Sequence, residues 1–170
     1  MDIEEKKLLT SDWFRKLRDK FCEEFEDIDN ANFERKYWDH KFDGGGEMSL
    51  MKGDVFEKVG VNISTVSGQF DKDFKSEVKG TEETPNYWAS GISLVAHMHS
   101  PLVPAFHFNT RFIVTGDSWF GGGGDITPTI VPEDDVHFFH QCMKEACDKA
   151  DPNYYQKYKK ACDEYFYLPH

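Results

Sequence analysis

From Glu4 to Ile28 apolar residues recur every three or four positions: Leu9, Trp13, Leu17, Phe21, Phe25 and Ile28, with charged residues between them. This spacing predicts one amphipathic helix with its stripe turned to a core. From Phe33 to Val66 the pattern shifts to short β-like runs separated by glycine, at Gly44 to Gly46, Gly53 and Gly60. The polar, charged piece from Gln69 to Pro85 predicts a surface excursion. Two runs rich in β-branched and aromatic residues follow, Tyr87 to Val95 and Ala105 to Thr115, with Pro101 and Pro104 marking a turn between them. They predict a β-hairpin, and Asp117 to Phe120 continues the sheet. Beyond Pro132 the chain reads as helical. Glu133, Asp134 and Asp135 favour a helix start, and this helix runs to about Ala150 with His137 and His140 on one face. Asp151-Pro152 opens a last helix through about Tyr167, with proline at a tolerated first-turn position. The order predicts an α+β fold, a large antiparallel sheet flanked by helices, in a single domain over residues 1–170.

The hairpin carries most of the chemistry. Residues two apart in a strand share a face, so His107, Asn109 and Arg111 point one way, and Ser93, Val95 and His97 line one face of the preceding strand. A turn centred near Leu102 sets His97 opposite His107, Val95 opposite Asn109 and Ser93 opposite Arg111. Directly opposed residues approach to about 5 Å between Cβ atoms, near enough for two imidazoles to share a proton or a metal. Arg111 supplies a planar fork for a carboxylate.

Composition narrows the partners. With 15 Phe, 7 Tyr and 4 Trp in 170 residues, the chain has the apolar content of a globular domain. A net charge of −11 argues against nucleic acid and against an anionic membrane surface, and no apolar run is long enough to span a bilayer. The start, Met-Asp-Ile-Glu-Glu-Lys-Lys, lacks the basic-then-apolar order of a signal peptide, so a cytoplasmic location is expected. Cys22, Cys142, Cys147 and Cys162 have the spacing of neither a zinc site nor a disulfide framework, and read as free thiols.

Trp119-Phe-Gly-Gly-Gly-Gly-Asp-Ile-Thr-Pro128 is the second unusual element. Four consecutive glycines allow close approach of backbone to a ligand. A phosphate loop would end in Gly-Lys-Ser or Gly-Lys-Thr, whereas this tract ends in Asp125, which suits N–H donors or developing positive charge. Arg111, Asn109, Ser93 and Asp125 together point to a ligand with both carboxylates and N–H groups.

These segments are similar to those of the oxygen-dependent coproporphyrinogen-III oxidases. The matching motifs are Gly53-Asp-Val-Phe-Glu-Lys-Val-Gly-Val-Asn-Ile-Ser-Thr-Val-Ser-Gly68, Trp88-Ala-Ser-Gly-Ile-Ser-Leu-Val-Ala-His97, Val103-Pro-Ala-Phe-His-Phe-Asn-Thr-Arg-Phe112, the glycine tract through Pro128, and the tail from Tyr158 to His170. The resemblance implies oxidative decarboxylation of two propionates of coproporphyrinogen III to vinyls. It further implies molecular oxygen as the co-substrate, protoporphyrinogen IX as the product and no organic cofactor. It implies substrate contacts at Ser93, Asn109, Thr110 and Arg111, a proton donor at His107, and Asp125 near the pyrrole nitrogens. Members that bind a divalent metal imply His97, His107, His140 and His170 as ligands. The family works as a homodimer. Its members are longer, so the resemblance implies a coproporphyrinogen oxidase-like domain incomplete at its C-terminus.

The sequence is open to two other readings. One is a non-catalytic truncated relative that binds tetrapyrrole or pairs with a complementary half. The other is a cupin-like metal enzyme using His97, His99 and His107, which the helical ends of the chain fit poorly.

Overall fold

The computed structural model describes residues 1–70, 78–82 and 84–169, so much of the excursion from Gln69 to Pro85 lies outside the described residues. Two compact units emerge, Met1–Thr129 and a second from Ile130 onward.

The first unit begins with α1 (Ile3–Asp29). Asp2 caps it by accepting from the Glu5 N–H at 2.8 Å, with Glu4 and Glu5 in the positive first turn. Asn30, left-handed at φ 51°, ends it. Six strands follow: β1 (Glu34–Asp39), β2 (Asp43–Met51), β3 (Phe56–Gln69), β4 (Asn86–Met98), β5 (Ala105–Val114) and β6 (Ser118–Thr127). All neighbours pair antiparallel in the order β1-β2-β3-β4-β5-β6, a meander that gives the large antiparallel sheet of the predicted α+β fold. Gly53 does separate two strands, but Gly44 to Gly46 lie inside β2 and Gly60 inside β3. The glycine tract is also strand, within β6.

Strand alternation gives the sheet two faces. On one, Val59 and Val61 of β3 and Ile92, Leu94 and Ala96 of β4 are buried against Phe14 and Cys22 of α1. Leu17, Phe21 and Phe25 pack at the edge of this core, Phe21 edge-on to Phe108 and Phe25 edge-on to Phe56. Each such ring contributes about 1.5–3 kcal/mol when fully buried. The helical stripe is only half right, because Leu9, Trp13 and Ile28 are exposed. The buried line runs one residue later at those points, through Thr10, Phe14 and Asp29, about 100° round the helix. Polar side chains that bury by finding hydrogen-bond partners carry no hydrophobic signal, and Arg18 and Asp29 are two of them.

Asp29 anchors the β2–β3 turn. Its carboxylate accepts from the backbone N–H groups of Asp54, Val55 and Phe56 at 2.7, 3.0 and 2.8 Å. Desolvation pushes its ionisation up, but the three N–H donors outweigh this and hold its pKa below the usual aspartate range. A depressed folded-state pKa contributes stability that is present above the unfolded value, about 3.9, and is lost as pH falls through the folded value. The difference in unfolding free energy between the wild type and Asp29→Asn is therefore expected to be constant above about pH 5 and to shrink below pH 4. Urea titrations from pH 2.5 to 7 measure it; a pH-independent difference would remove the linkage.

The second unit holds α2 (Glu133–Asp148) and α3 (Tyr154–Phe166). The last helix starts later than Asp151-Pro152 suggests. Asp151 instead closes a turn, accepting from the Asn153 N–H at 2.8 Å. No helix among the described residues is long and apolar enough to cross a membrane.

Candidate functional site

The β4–β5 hairpin is two residues out of the register expected for a turn centred at Leu102. Val95 lies opposite His107, Ser93 opposite Asn109 and Gly91 opposite Arg111. The core decides this, since Leu94 opposes Phe108 and Ala96 opposes Phe106 on the helix face. A slip of one would have reversed the faces, whereas a slip of two leaves every side chain on its side. His107, Asn109, Arg111, Ser93 and His97 therefore share the face opposite α1. Alternation assigns Thr110 to the helix face, opposite Ile92, so of the implied contacts only its backbone lies toward the others.

His97 is a diagonal neighbour of His107, within reach of long side chains. The two imidazoles meet edge to face with Nε2 atoms 3.1 Å apart. On the other side, His107 pairs with Asp125 of β6, Nδ1 to Oδ1 at 2.9 Å. Thr127 donates its hydroxyl to the same Asp125 oxygen at 3.2 Å. An ionised Asp125 only accepts, so Nδ1 of His107 carries a proton and Nε2 is the nitrogen left to give or take one. Thr127, Asp125, His107 and His97 form a hydrogen-bonded chain that is chemically able to pass a proton, on a partly exposed surface with His107 33% and Asp125 39% exposed. Thr127 escaped the sequence reading, although it shares Asp125's parity two residues on.

The next pair along β5, Asn109 and Arg111, has the donors that a carboxylate needs. Arg111 donates to the Asn109 side-chain oxygen at 2.9 Å, which leaves the Asn109 amide N–H groups and the rest of the guanidinium fork for a ligand. Opposite them on β6 stand Gly123 and Gly121. A Cβ built on either glycine meets nothing within 4 Å, whereas one on Gly122 comes within 2.3 Å of the Asn109 carbonyl oxygen. Gly122 serves the fold, and Gly121 and Gly123 keep the surface beside this pair bare. Gly122→Ala is expected to cost about 1–3 kcal/mol through backbone displacement. Gly123→Ala should stay within about 0.5 kcal/mol of wild type. Thermal unfolding of both separates the two roles, and equal losses would contradict this division.

Two imidazole nitrogens 3.1 Å apart match neighbouring corners of a metal's coordination sphere, with Asp125 behind His107 as an orienting carboxylate. Two ligands are too few for a stable site. Among the described residues, no three His, Cys, Asp or Glu side chains come together to hold a metal. His140 lies in the second unit, its Nδ1 3.2 Å from the Tyr155 hydroxyl, and His170 lies outside the described residues. His99, of the cupin-like set, instead places Nε2 3.1 Å from the Gly53 carbonyl oxygen.

Fold and site together define an antiparallel-sheet protein that carries a His97–His107–Asp125 hydrogen-bonded chain beside an Arg111–Asn109 pair on one sheet face. The family model for coproporphyrinogen III oxidase matches residues 9–170, and the chain belongs to this family. It is 56% identical to the oxygen-dependent coproporphyrinogen-III oxidase of Rickettsia akari (strain Hartford), an alignment covering 100% of this chain and 64% of that protein. It is 55% identical to the protein of the same name from Rickettsia bellii (strain OSU 85-389), over 95% of this chain and 62% of the relative. The chain thus spans somewhat less than two thirds of the length of these relatives.

Proposed function

We propose that this protein catalyses the oxygen-dependent oxidative decarboxylation of coproporphyrinogen III to protoporphyrinogen IX. The observation that carries the reading is the placement of the Arg111–Asn109 pair next to the His97–His107–Asp125 chain on one sheet face. Carboxylate binding and proton transfer are the two tasks that the reaction sets. The relatives are named as oxidases, which favours a catalytic reading over a non-catalytic one.

For each propionate, a C–H bond on the carbon attached to the pyrrole breaks, as does the bond to the carboxylate. A vinyl group and carbon dioxide form. Two electrons pass to dioxygen, which leaves as hydrogen peroxide with one proton from the substrate and one from elsewhere. His107 supplies that second proton, and His97 or water restores it. Arg111 and Asn109 hold the propionate so that the reacting carbon stays near the relay. Asp125 faces the N–H side of the macrocycle and offsets positive charge that grows on the electron-rich pyrrole.

Two further expectations belong to this proposal. The protein works in the cytoplasm, and it forms a homodimer. Among the described residues β1 and β6 are the outermost strands of the sheet, and strand edges are compatible with pairing between copies.

Arg111→Ala tests the clamp. Loss of a charged carboxylate contact, about 1.5–3 kcal/mol, should raise KM for coproporphyrinogen III roughly 10- to 150-fold, with a smaller change in kcat. Steady-state kinetics with unchanged KM would sink this role for Arg111.

A further inference from the structure

Between Arg111 on β5 and Trp38 on β1, the face that carries the relay sinks into a cleft of about 350 Å³, also lined by Asn62, Ser64, Ser93 and Asn109. Its floor depends on small residues. A Cβ on Gly46 would lie 2.6 Å from the Trp38 ring, and one on Gly91 would lie 3.0 Å from the Arg111 Cβ. These two glycines let the indole and the arginine lean across neighbouring strands and form the ends of the cleft.

Asn62, Ser93 and Asn109 stand in one row, Asn62 opposite Ser93 on β4 and Ser93 opposite Asn109 on β5. Asn109 is engaged with Arg111. The side chains of Asn62 and Ser93 hydrogen-bond to no other described residue, although both line the cleft. Asn62 offers two N–H donors two strand spacings, about 10 Å, from Asn109. That distance is on the scale of the separation between carboxylates on neighbouring pyrroles of a tetrapyrrole with several propionates.

We propose that Asn62 is a second carboxylate contact, reading a propionate on the ring next to the one held by Arg111. This rests on the function proposed above and adds a specificity residue on β3. The macrocycle then bridges β5 and β3, with Trp38 closing the far end. A polar contact at Asn62 favours substrates that carry a carboxylate on that second ring over those with an alkyl group there.

Asn62→Asp keeps the shape and reverses the electrostatics. The experiment measures binding of coproporphyrin III by fluorescence and KM for coproporphyrinogen III, for wild type, Asn62→Asp and Asn62→Ala, with thermal unfolding as a control on folding. We expect a tenfold or greater loss of affinity for Asn62→Asp, largest at low salt and reduced at high salt. Asn62→Ala should lose several-fold, without salt dependence. A purely structural asparagine would not produce that salt signature. If wild type binds and Asn62→Asp binds equally well, the second contact is overturned and the function stands. If folded wild type neither binds nor turns over the tetrapyrrole, both fall.

Discussion

Asp125→Asn is expected to lower kcat for coproporphyrinogen III by a factor of about 10² to 10⁴ while changing KM little. The carboxylate lies 2.9 Å from Nδ1 of His107 and accepts its proton. An amide in its place can turn its NH2 toward Nδ1 and hold the imidazole in the opposite tautomer, with the proton on Nε2. His107 then meets its partner at Nε2 with the wrong protonation, and the offset for charge on the pyrrole is lost as well. His107→Ala should be at least as severe, and His97→Ala milder, because water can replace His97 at a partly exposed site. A kcat within threefold of wild type for Asp125→Asn would show that the pair is only architectural. The contrast with Arg111→Ala, whose main effect is on KM, separates proton handling from binding.

The second large effect concerns stability. Arg18 of α1 and Glu47 of β2 are 5% and 4% exposed and form an ion pair through Arg18 Nη1 and Glu47 Oε1. Arg18 also donates through Nε to Asp19 at 2.8 Å, and Asp19 accepts in turn from Arg35 at 3.0 Å. The Glu47 carboxylate beside Tyr37 holds the Tyr37 phenol pKa above its ordinary value. Glu47→Ala removes the buried carboxylate that faces Arg18 Nη1 and leaves the guanidinium only its Nε bond to Asp19, so a loss of about 3–5 kcal/mol is expected. For a chain of this size that is roughly 6–20 °C in Tm. Replacing both residues by apolar side chains of similar volume should recover much of the loss, since the pair is costly to break yet not costly to exchange. A Glu47→Ala loss below about 1 kcal/mol, measured by urea unfolding, would mean that solvent reaches Arg18.

Legibility in the sequence followed the physics of each element. The face shared by His107, Asn109 and Arg111 came from parity alone, and it survived a turn misplaced by two residues because an even slip preserves parity. Parity also marks Thr110 as the odd member of its run. The glycine tract suggested backbone close to a ligand, and its place inside a strand became evident only through pairing with β5. Composition cannot separate Gly122, which the Asn109 carbonyl requires, from Gly121 and Gly123, which nothing in the fold requires. The buried line of α1 runs one residue later than the apolar spacing predicts at Leu9, Trp13 and Ile28; at the last of these a polar side chain, Asp29, is held inside by hydrogen bonds, which the apolar pattern does not encode. Asn62 and Ser64 alternate with Val61, Ile63 and Thr65 and so advertise a polar face. Their approach to Ser93 and Arg111 depends on the β3–β4 register, a long-range pairing that no local pattern encodes.

The most direct test is aerobic turnover of coproporphyrinogen III by the purified protein, followed as protoporphyrin fluorescence after oxidation, with His107→Ala in parallel. The account predicts product from wild type and none above background from a folded His107→Ala. Folded wild type that forms no product, or a His107→Ala variant that matches the wild-type rate, would contradict it.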